Sequence, residues 1–342
     1  DDLGSAGSEY RQRIYSGGFS QRKTPVSGQQ LLDFFAFALD WTHHSIHTNR
    51  RPDGLYHSYN LVRLEDRKAL PIRRLYEMLE GQVAVLSSGQ LSAGESLTLL
   101  AALKRGAMYR ADQHSYLLYP NRQLPRFVER NLVPAKEIRR SALLRKLLAD
   151  ANPYLIERDV AGRVHFNATM TNARDLRRIL NELATPRYAR LIQRDTPLVL
   201  EIFERLFDHE SFTGRSGTFF GYEGLGSIYW HMVSKLLLAV QETYFRAVDS
   251  GVPATVLNGL AASYYDVRAG LGDGKSPQEY GAFPMDPYSH TPAQAGARQP
   301  GLTGQVKEDI LCRRGELGVF VSSGKIHFRP LLLRREEFLR TP

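Results

Sequence analysis

At 342 residues the chain has room for one large domain or two ordinary ones. With 42% hydrophobic and 24% charged residues it reads as globular, and it contains no run of about 18 apolar residues that would predict a membrane span. The net charge of +9 is spread in short clusters broken by apolar residues, such as IRRSALLRK and LLRREEF, which fits exposed helix faces and speaks against a nucleic-acid partner.

The chain does not begin with Met, and DDLGSAGSEYRQRIYSGGFSQRKTPVSGQQ reads as a segment entering from a preceding region of a longer polypeptide. That places the expected boundary between a 1–27 linker and a 28–342 domain. From Leu31 to Trp41 the density of Leu and Phe predicts a buried helix, broken at Pro52 and Gly54. KALPIRRLYEMLEGQVAVLSS and SAGESLTLLAALKRGAMYRAD predict a helix pair, the second opened by a capping box of Ser92 and Glu95. YLLYPNRQLPRF is a Pro-punctuated loop with an aromatic cluster. Helices continue at PAKEIRRSALLRKLLADA, TNARDLRRILNELA and TPLVLEIFERLFDHE, with a small hairpin in ERDVAGRVHFN that turns at Ala161–Gly162.

A long helix is predicted from Gly224 to Val248. It is apolar on most sides and therefore belongs to an inner layer. VPATVLNGLAASYYDVRAGL is the next helix. The loop from Gly272 to Gly301 is rich in Pro, Gly, Tyr and His, and its aromatics argue for order. GELGVFVSSGKIHFRPLLL alternates like a strand pair and turns at Ser323–Gly324. Cys312, alone in the chain, cannot close an internal disulfide and reads as a small buried residue. There is no dinucleotide fingerprint, no phosphate-binding Lys loop and no Cys pair. Helices in pairs with almost no strands predict an all-α fold. Their Gly- and aromatic-rich connections suggest an α/α toroid of six-hairpin type, with inner-helix N-termini around a pocket and a short C-terminal β-hairpin.

Four stretches carry candidate chemistry. In FFGYEGLGSIYWH, Glu223 and the amides of Gly224 to Ser227 would stand at a helix N-terminus, which suits an anion or a sugar hydroxyl. The bland alternative is that Glu223 only caps the helix. In RPDGLYHSYN, Asp53 sits in a Pro-Asp-Gly turn, while Tyr56, His57, Tyr59 and Asn60 are types that stack on or hydrogen-bond to a sugar. Asp286, Tyr288, His290 and Arg298 lie in the long loop, either as a cover over a pocket mouth or as plain surface. His43, His44 and His47 have helical spacing for a metal, but without an acidic or Cys partner nearby no metal is expected.

EGLGSIYWHMV is similar to the Gly/Ser-rich segment and aromatic helix of bacterial glycoside phosphorylases of the cellobiose phosphorylase type. GELGVFVSSGKIHFRPLLL resembles the closing strands of the same helical-toroid enzymes, within the wider class of six-hairpin glycosidases. The resemblance covers about the last third of the chain. The acid-bearing Gly-Asp-Trp-Asn stretch of those phosphorylases is absent here, so the resemblance assigns no general acid.

The resulting expectation is a carbohydrate-active, glycoside hydrolase-like or phosphorylase-like domain working through a carboxyl pair. Glu223 and Asp53 form the first pair, with Asp286 in reserve. Tyr56, Tyr222, Trp230 and Tyr288 would be stacking surfaces, His57 and Arg298 would hold hydroxyls or an anion, and Tyr59, Ser227 and His290 would complete the site. The competing expectation is a non-catalytic helical module that binds glycan or a partner domain. The expected partners are a carbohydrate substrate and other domains of the same polypeptide. Neither a cofactor nor a membrane is expected, and a cytoplasmic location is favoured.

Overall fold

The computed structural model describes residues 2–19, 21–62, 71–123, 125–208, 224–301 and 304–339. The chain falls into two compact units, Asp1–Asn49 and Arg50–Pro342.

The first unit holds helix α1 (Asp2–Gly17) and helix α2 (Gly28–Thr48). Part of the stretch expected to be a linker is thus helical. It stops at Gly17–Gly18, where Gly18 takes a left-handed φ of 66° that ends a helix without strain. Helix α2 opens with a reciprocal capping box between Ser27 and Gln30. The expectation that it is buried is corrected: none of its residues is buried, and Leu32, Phe34, Phe37 and Trp41 are all more than half exposed. The reason lies in the composition of α1, DLGSAGSEYRQRIYSG, which has few large apolar side chains to cover it.

The second unit is helix-rich with small antiparallel sheets. It begins with the strand pair β1 (Asn60–Val62) and β2 (Ile72–Arg74), followed by α3 (Leu79–Ser87), α4 (Ala93–Arg105), and the short pair β3 (Tyr109–Arg110) and β4 (Ser115–Tyr116). The capping box of Ser92 and Glu95 opens α4 as its sequence predicts.

Next come α5 (Phe127–Arg130), α6 (Ala135–Arg140), α7 (Ala142–Ala149), the hairpin of β5 (Ile156–Arg158) and β6 (Val164–Phe166), α8 (Ala173–Glu182) and α9 (Ala189–Phe207). These elements share one core, in which Leu143, Leu144, Leu147, Leu176, Val199 and Phe203 are almost wholly enclosed. Two polar devices hold the core in register. Asn131 bridges the β6 backbone, donating to the Phe166 carbonyl at 2.7 Å and accepting its amide at 2.9 Å. Asp195, on α9, accepts the Leu143 amide and the Ser141 hydroxyl, both at 2.8 Å. It thereby supplies a charged acceptor to the N-terminus of α7. The predicted single helix 134–151 is divided at Ser141, whose hydroxyl caps α7. Helix α9 starts before its predicted Thr196 and runs through Pro197. The lost backbone bond is tolerated because the helix buries Val199, Ile202, Phe203 and Phe207.

The remaining elements are β7 (Ile228–Tyr229), α10 (Trp230–Asp249), α11 (Ala254–Ala269), α12 (Pro277–Tyr280), β8 (Tyr288–Thr291), β9 (Arg298–Pro300), α13 (Gly304–Glu316) and the hairpin of β10 (Val319–Ser322) and β11 (Lys325–Phe328). Helix α10 is the axis of this unit, packed against α13, α11, α3 and α4. Its residues Val233, Leu236, Leu237, Ala239 and Val240 are fully buried, as its all-round apolarity predicts. Its buried amide Gln241 donates to the Cys312 carbonyl at 2.7 Å, so the core leaves that side chain satisfied. The hairpin turn at Ser323–Gly324 is as expected; both residues take positive φ, the conformation a two-residue hairpin turn demands.

The chain leaves the α10-centred body at Tyr119 and re-enters it at Leu225. These two residues form a parallel bridge, and the Leu118 amide donates to the Ser227 carbonyl at 3.0 Å. The α5–α9 module therefore sits on a stem whose two arms lie side by side. A further link is the two-pronged pair between Arg73 of β2 and Asp208, at 2.7 and 2.6 Å.

Because the module has its own core, Phe203→Ala is expected to cost about 3–5 kcal/mol there. Native-state hydrogen exchange should show α7, α8 and α9 opening faster, while the amides of α10 keep their protection. Equal acceleration in both regions would show that the two cores unfold as one.

Candidate functional site

The opening of α10 differs from its predicted form. The helix starts at Trp230 rather than Gly224, because Gly224 to Ser227 form a turn closed by the Ser227 amide on the Gly224 carbonyl at 3.0 Å, and Ile228–Tyr229 pair as a strand. Both glycines have positive φ, 82° at Gly224 and 68° at Gly226. Their lack of Cβ serves the protein's own packing: a Cβ on Gly224 would stand 2.7 Å from the Tyr229 ring, and one on Gly226 would stand 2.9 Å from Asn121 Oδ1. Tyr222 and Glu223 lie outside the described residues.

Strands β7, β8 and β9 form one sheet in that order, with Ile228 opposite Thr291, Tyr229 opposite His290, His290 opposite Arg298 and Tyr288 opposite Pro300. The sheet brings Ser227, Tyr288, His290 and Arg298, predicted from two distant stretches, to the head of α10. The Tyr229 ring stacks on His290 with centroids 5.7 Å apart and meets His231 edge-on at 5.7 Å. His290 also hydrogen-bonds Ser289 through Nδ1 at 2.7 Å. Burial, followed by the charge of Arg298, lowers the His290 pKa and so favours the neutral ring, one of whose nitrogens is engaged with Ser289. The long loop is ordered as expected. Arg110 ties it to β3 by donating to the carbonyls of Pro292 at 3.0 Å and Ala293 at 3.2 Å.

Trp230 is not a stacking surface. It is fully buried, donates from Nε1 to Thr291 Oγ1 at 2.9 Å, and packs edge-on against Tyr280. On its ring lies the ammonium of Lys275, 4.5 Å from the centroid, and burial lowers that lysine's pKa to about 8. Tyr56 is likewise a core residue, 4% exposed. Its backbone exchanges hydrogen bonds with the Gln82 amide at 2.9 and 2.8 Å.

Asp53 performs the local task of its Pro-Asp-Gly turn. It accepts the Leu55 amide at 3.1 Å and a two-pronged bond from Arg51, whose shortest arm is 2.8 Å. That guanidinium holds its carboxyl below the usual range. His57 contacts the Leu75 carbonyl through Nδ1 at 3.3 Å, and Tyr59 donates to Glu80 at 3.2 Å. His43, His44 and His47 sit on α2, and among the described residues no group of three or more acidic, His or Cys side chains is arranged to hold a metal.

Asp286 lines a cavity of about 430 Å³ beside α10, together with Ser234, Asp273, Gln305 and Asp309. Asp53 does not border it. None of Asp273, Asp309, Ser234 or Gln305 stood out in the sequence. They come from three separate elements, Gln305 and Asp309 both from α13, and each looks like an ordinary helix or turn residue there.

A sequence family described as GH149 phosphorylase insertion domain 2 matches residues 124–210. The match spans the whole core of the α5–α9 module, from Val133 to Phe207. No curated protein matches the chain. The segment on the Tyr119–Leu225 stem is thus similar to an insertion domain of a glycoside phosphorylase family.

Two measurements check this arrangement. In Trp41→Phe only Trp230 remains, and its emission should be blue-shifted and poorly quenched by acrylamide; ready quenching would return Trp230 to the list of ligand surfaces. The Asp53 pKa is lower folded than unfolded, so its contribution to stability is complete above the unfolded value near 4 and is lost as pH falls through the folded one. Asp53→Asn should therefore lower the melting temperature at pH 7 and leave the melting temperature at the acid end, where Asp53 is protonated, nearly unchanged.

Proposed function

We propose that the Arg50–Pro342 unit belongs to a carbohydrate-active enzyme that cleaves a glycosidic bond, with its helices completing a toroid of α/α type. The observation that carries this reading is the position of the matched segment: its stem, Tyr119 and Leu225, adjoins the Gly224–Ser227 turn and the β7–β8–β9 sheet. In this reading a segment similar to a phosphorylase insertion stands beside the candidate site.

In this reading the sheet holds the polar part of the reactants. Arg298 contributes a positive charge and neutral His290 its Nε2, which suit orthophosphate or sugar hydroxyls. Glycosidic cleavage requires a carboxyl group to protonate the leaving oxygen. Glu223, next in the chain to Gly224, is the proposed donor, and Asp286 the reserve. Other domains of the same polypeptide complete the substrate cleft. Orthophosphate is favoured over water as acceptor by the matched family and by the Arg298–His290 pairing.

The test is turnover of an oligosaccharide panel with and without orthophosphate by the polypeptide carrying this chain. Phosphate-dependent release of a sugar 1-phosphate is expected. Arg298→Ala should raise the KM for phosphate by about 10-fold or more, the scale of one charged hydrogen bond. Glu223→Gln should lower kcat with little change in KM. Release of free sugar alone would assign hydrolysis. Saturable glycan binding without any turnover would assign the non-catalytic module instead.

A further inference from the structure

The hairpin of β10 and β11 leaves a sheet edge open over a groove, an arrangement independent of the proposed glycosidic activity. Its turn holds two residues, Ser323 and Gly324, and at its base the Arg329 amide donates to the Gly318 carbonyl at 2.7 Å. Bonded and unbonded pairs alternate along an antiparallel ladder, so the bonded pairs are Gly318–Arg329, Phe320–His327 and Ser322–Lys325. The N–H and C=O groups of Val319 and Val321 therefore point away from β11, and no described residue bonds to them. Native sheets guard such an edge with a charge, a proline, a bulge or a covering element. Val319–Ser322 carries no charge or proline, its register is unbroken, and the sheet ends at two strands.

Beside this edge lies a groove of about 680 Å³ between β10, α10 and α13. Val319 and Val321 line it and no residue of β11 does, so it adjoins the open side of β10. Its floor is apolar, built from Leu238 and Phe245 of α10 and Leu311 of α13, with Phe320 edge-on to Phe245 at 5.0 Å. Leu311 and Val321 are exposed, so this apolar surface is open to a partner. The groove also carries charges of both signs, Glu242 and Arg314, and neither is in an ion pair with a described residue. The outer edge of β11 is a poorer platform. All four of its residues are exposed, so a strand there would gain backbone bonds without a floor.

The free ladder groups select an extended backbone, and the apolar floor selects side chains at every second position. The two unpaired charges select one basic and one acidic residue. We propose that the groove docks a short extended peptide segment, which pairs with β10 as a third strand. Its apolar side chains rest on Leu238, Phe245 and Leu311, its basic residue meets Glu242, and its acidic residue meets Arg314.

The experiment titrates the full chain with the peptide acetyl-KVTVTVE-amide and follows it by calorimetry and amide hydrogen exchange. A peptide with the same side chains and N-methylated valines is the comparison, because it cannot donate to the ladder. Saturable binding is expected for the first peptide only, with slower exchange at Val319 and Val321. Leu311→Glu should weaken binding about ten-fold or more by setting a charge in the apolar floor. Glu242→Gln and Arg314→Gln should each weaken it about two- to five-fold, the scale of a solvent-screened ion pair. These positions are not fully buried, and melting curves establish that each variant is folded; for one that is not, the comparison of the two peptides on the unaltered chain decides. Absence of saturable binding, or equal binding of the N-methylated peptide, overturns the proposal. So does protection of the Val319 and Val321 amides before peptide is added, whether a second copy or a strand of the same polypeptide supplies it.

Discussion

The burial of most of α10 organises the Arg50–Pro342 unit. With Trp230, Val233, Leu236, Leu237 and Val240 enclosed, α10 keeps only a stripe through Lys235, Leu238 and Glu242 toward water, and α3, α4, α11 and α13 pack around the rest. The polar atoms trapped by that wrapping then need partners from far along the chain. Gln241 reaches the Cys312 carbonyl, and Trp230 reaches Thr291. The three-stranded sheet, with Tyr229, His290 and Arg298, stands at the head of this helix.

Much of this could be read in the sequence where one local signal was strong and nothing opposed it. The buried body of α10, the capping box at Ser92 and Glu95, and the hairpins at Gly162 and Gly324 are such cases. The start of α10 was not legible in the same way. Ile228 and Tyr229 continue the helical apolar spacing, yet they pair with Thr291 and His290, residues some sixty positions away that periodicity cannot reveal. The same blindness hid Asp273, Asp309 and Ser234, which become neighbours only when α10, α13 and the long loop pack. Helix α2 fails for the opposite reason. Its composition is that of a buried helix, but burial needs a covering surface as well as apolar side chains, and none of its residues is buried.

Of the residues picked out as candidates, the ones that converge are those on β8, β9 and the turn before β7. Asp53 and Tyr56 instead serve the first turns of the unit: one neutralises Arg51, the other is fixed by Gln82. Aromatic and acidic residues in a Pro-Asp-Gly context do not by themselves separate a turn from a binding loop, because both draw on the same residue types. The pairing of His290 with both Tyr229 and Arg298 is a property of register, and register is set by the whole sheet.

The side-by-side stem at Tyr119 and Leu225 bears on how the chain reaches its folded state. Joining those positions in an unfolded chain means closing a loop of about a hundred residues, and the entropy of closure grows with the logarithm of loop length. A module that collapses first around Leu144, Leu176 and Phe203 removes most of that slack and draws its two arms together. In that order of folding the segment would act as a tether that shortens itself, and the body of the unit, including the strands at the head of α10, would assemble from ends already delivered to one place.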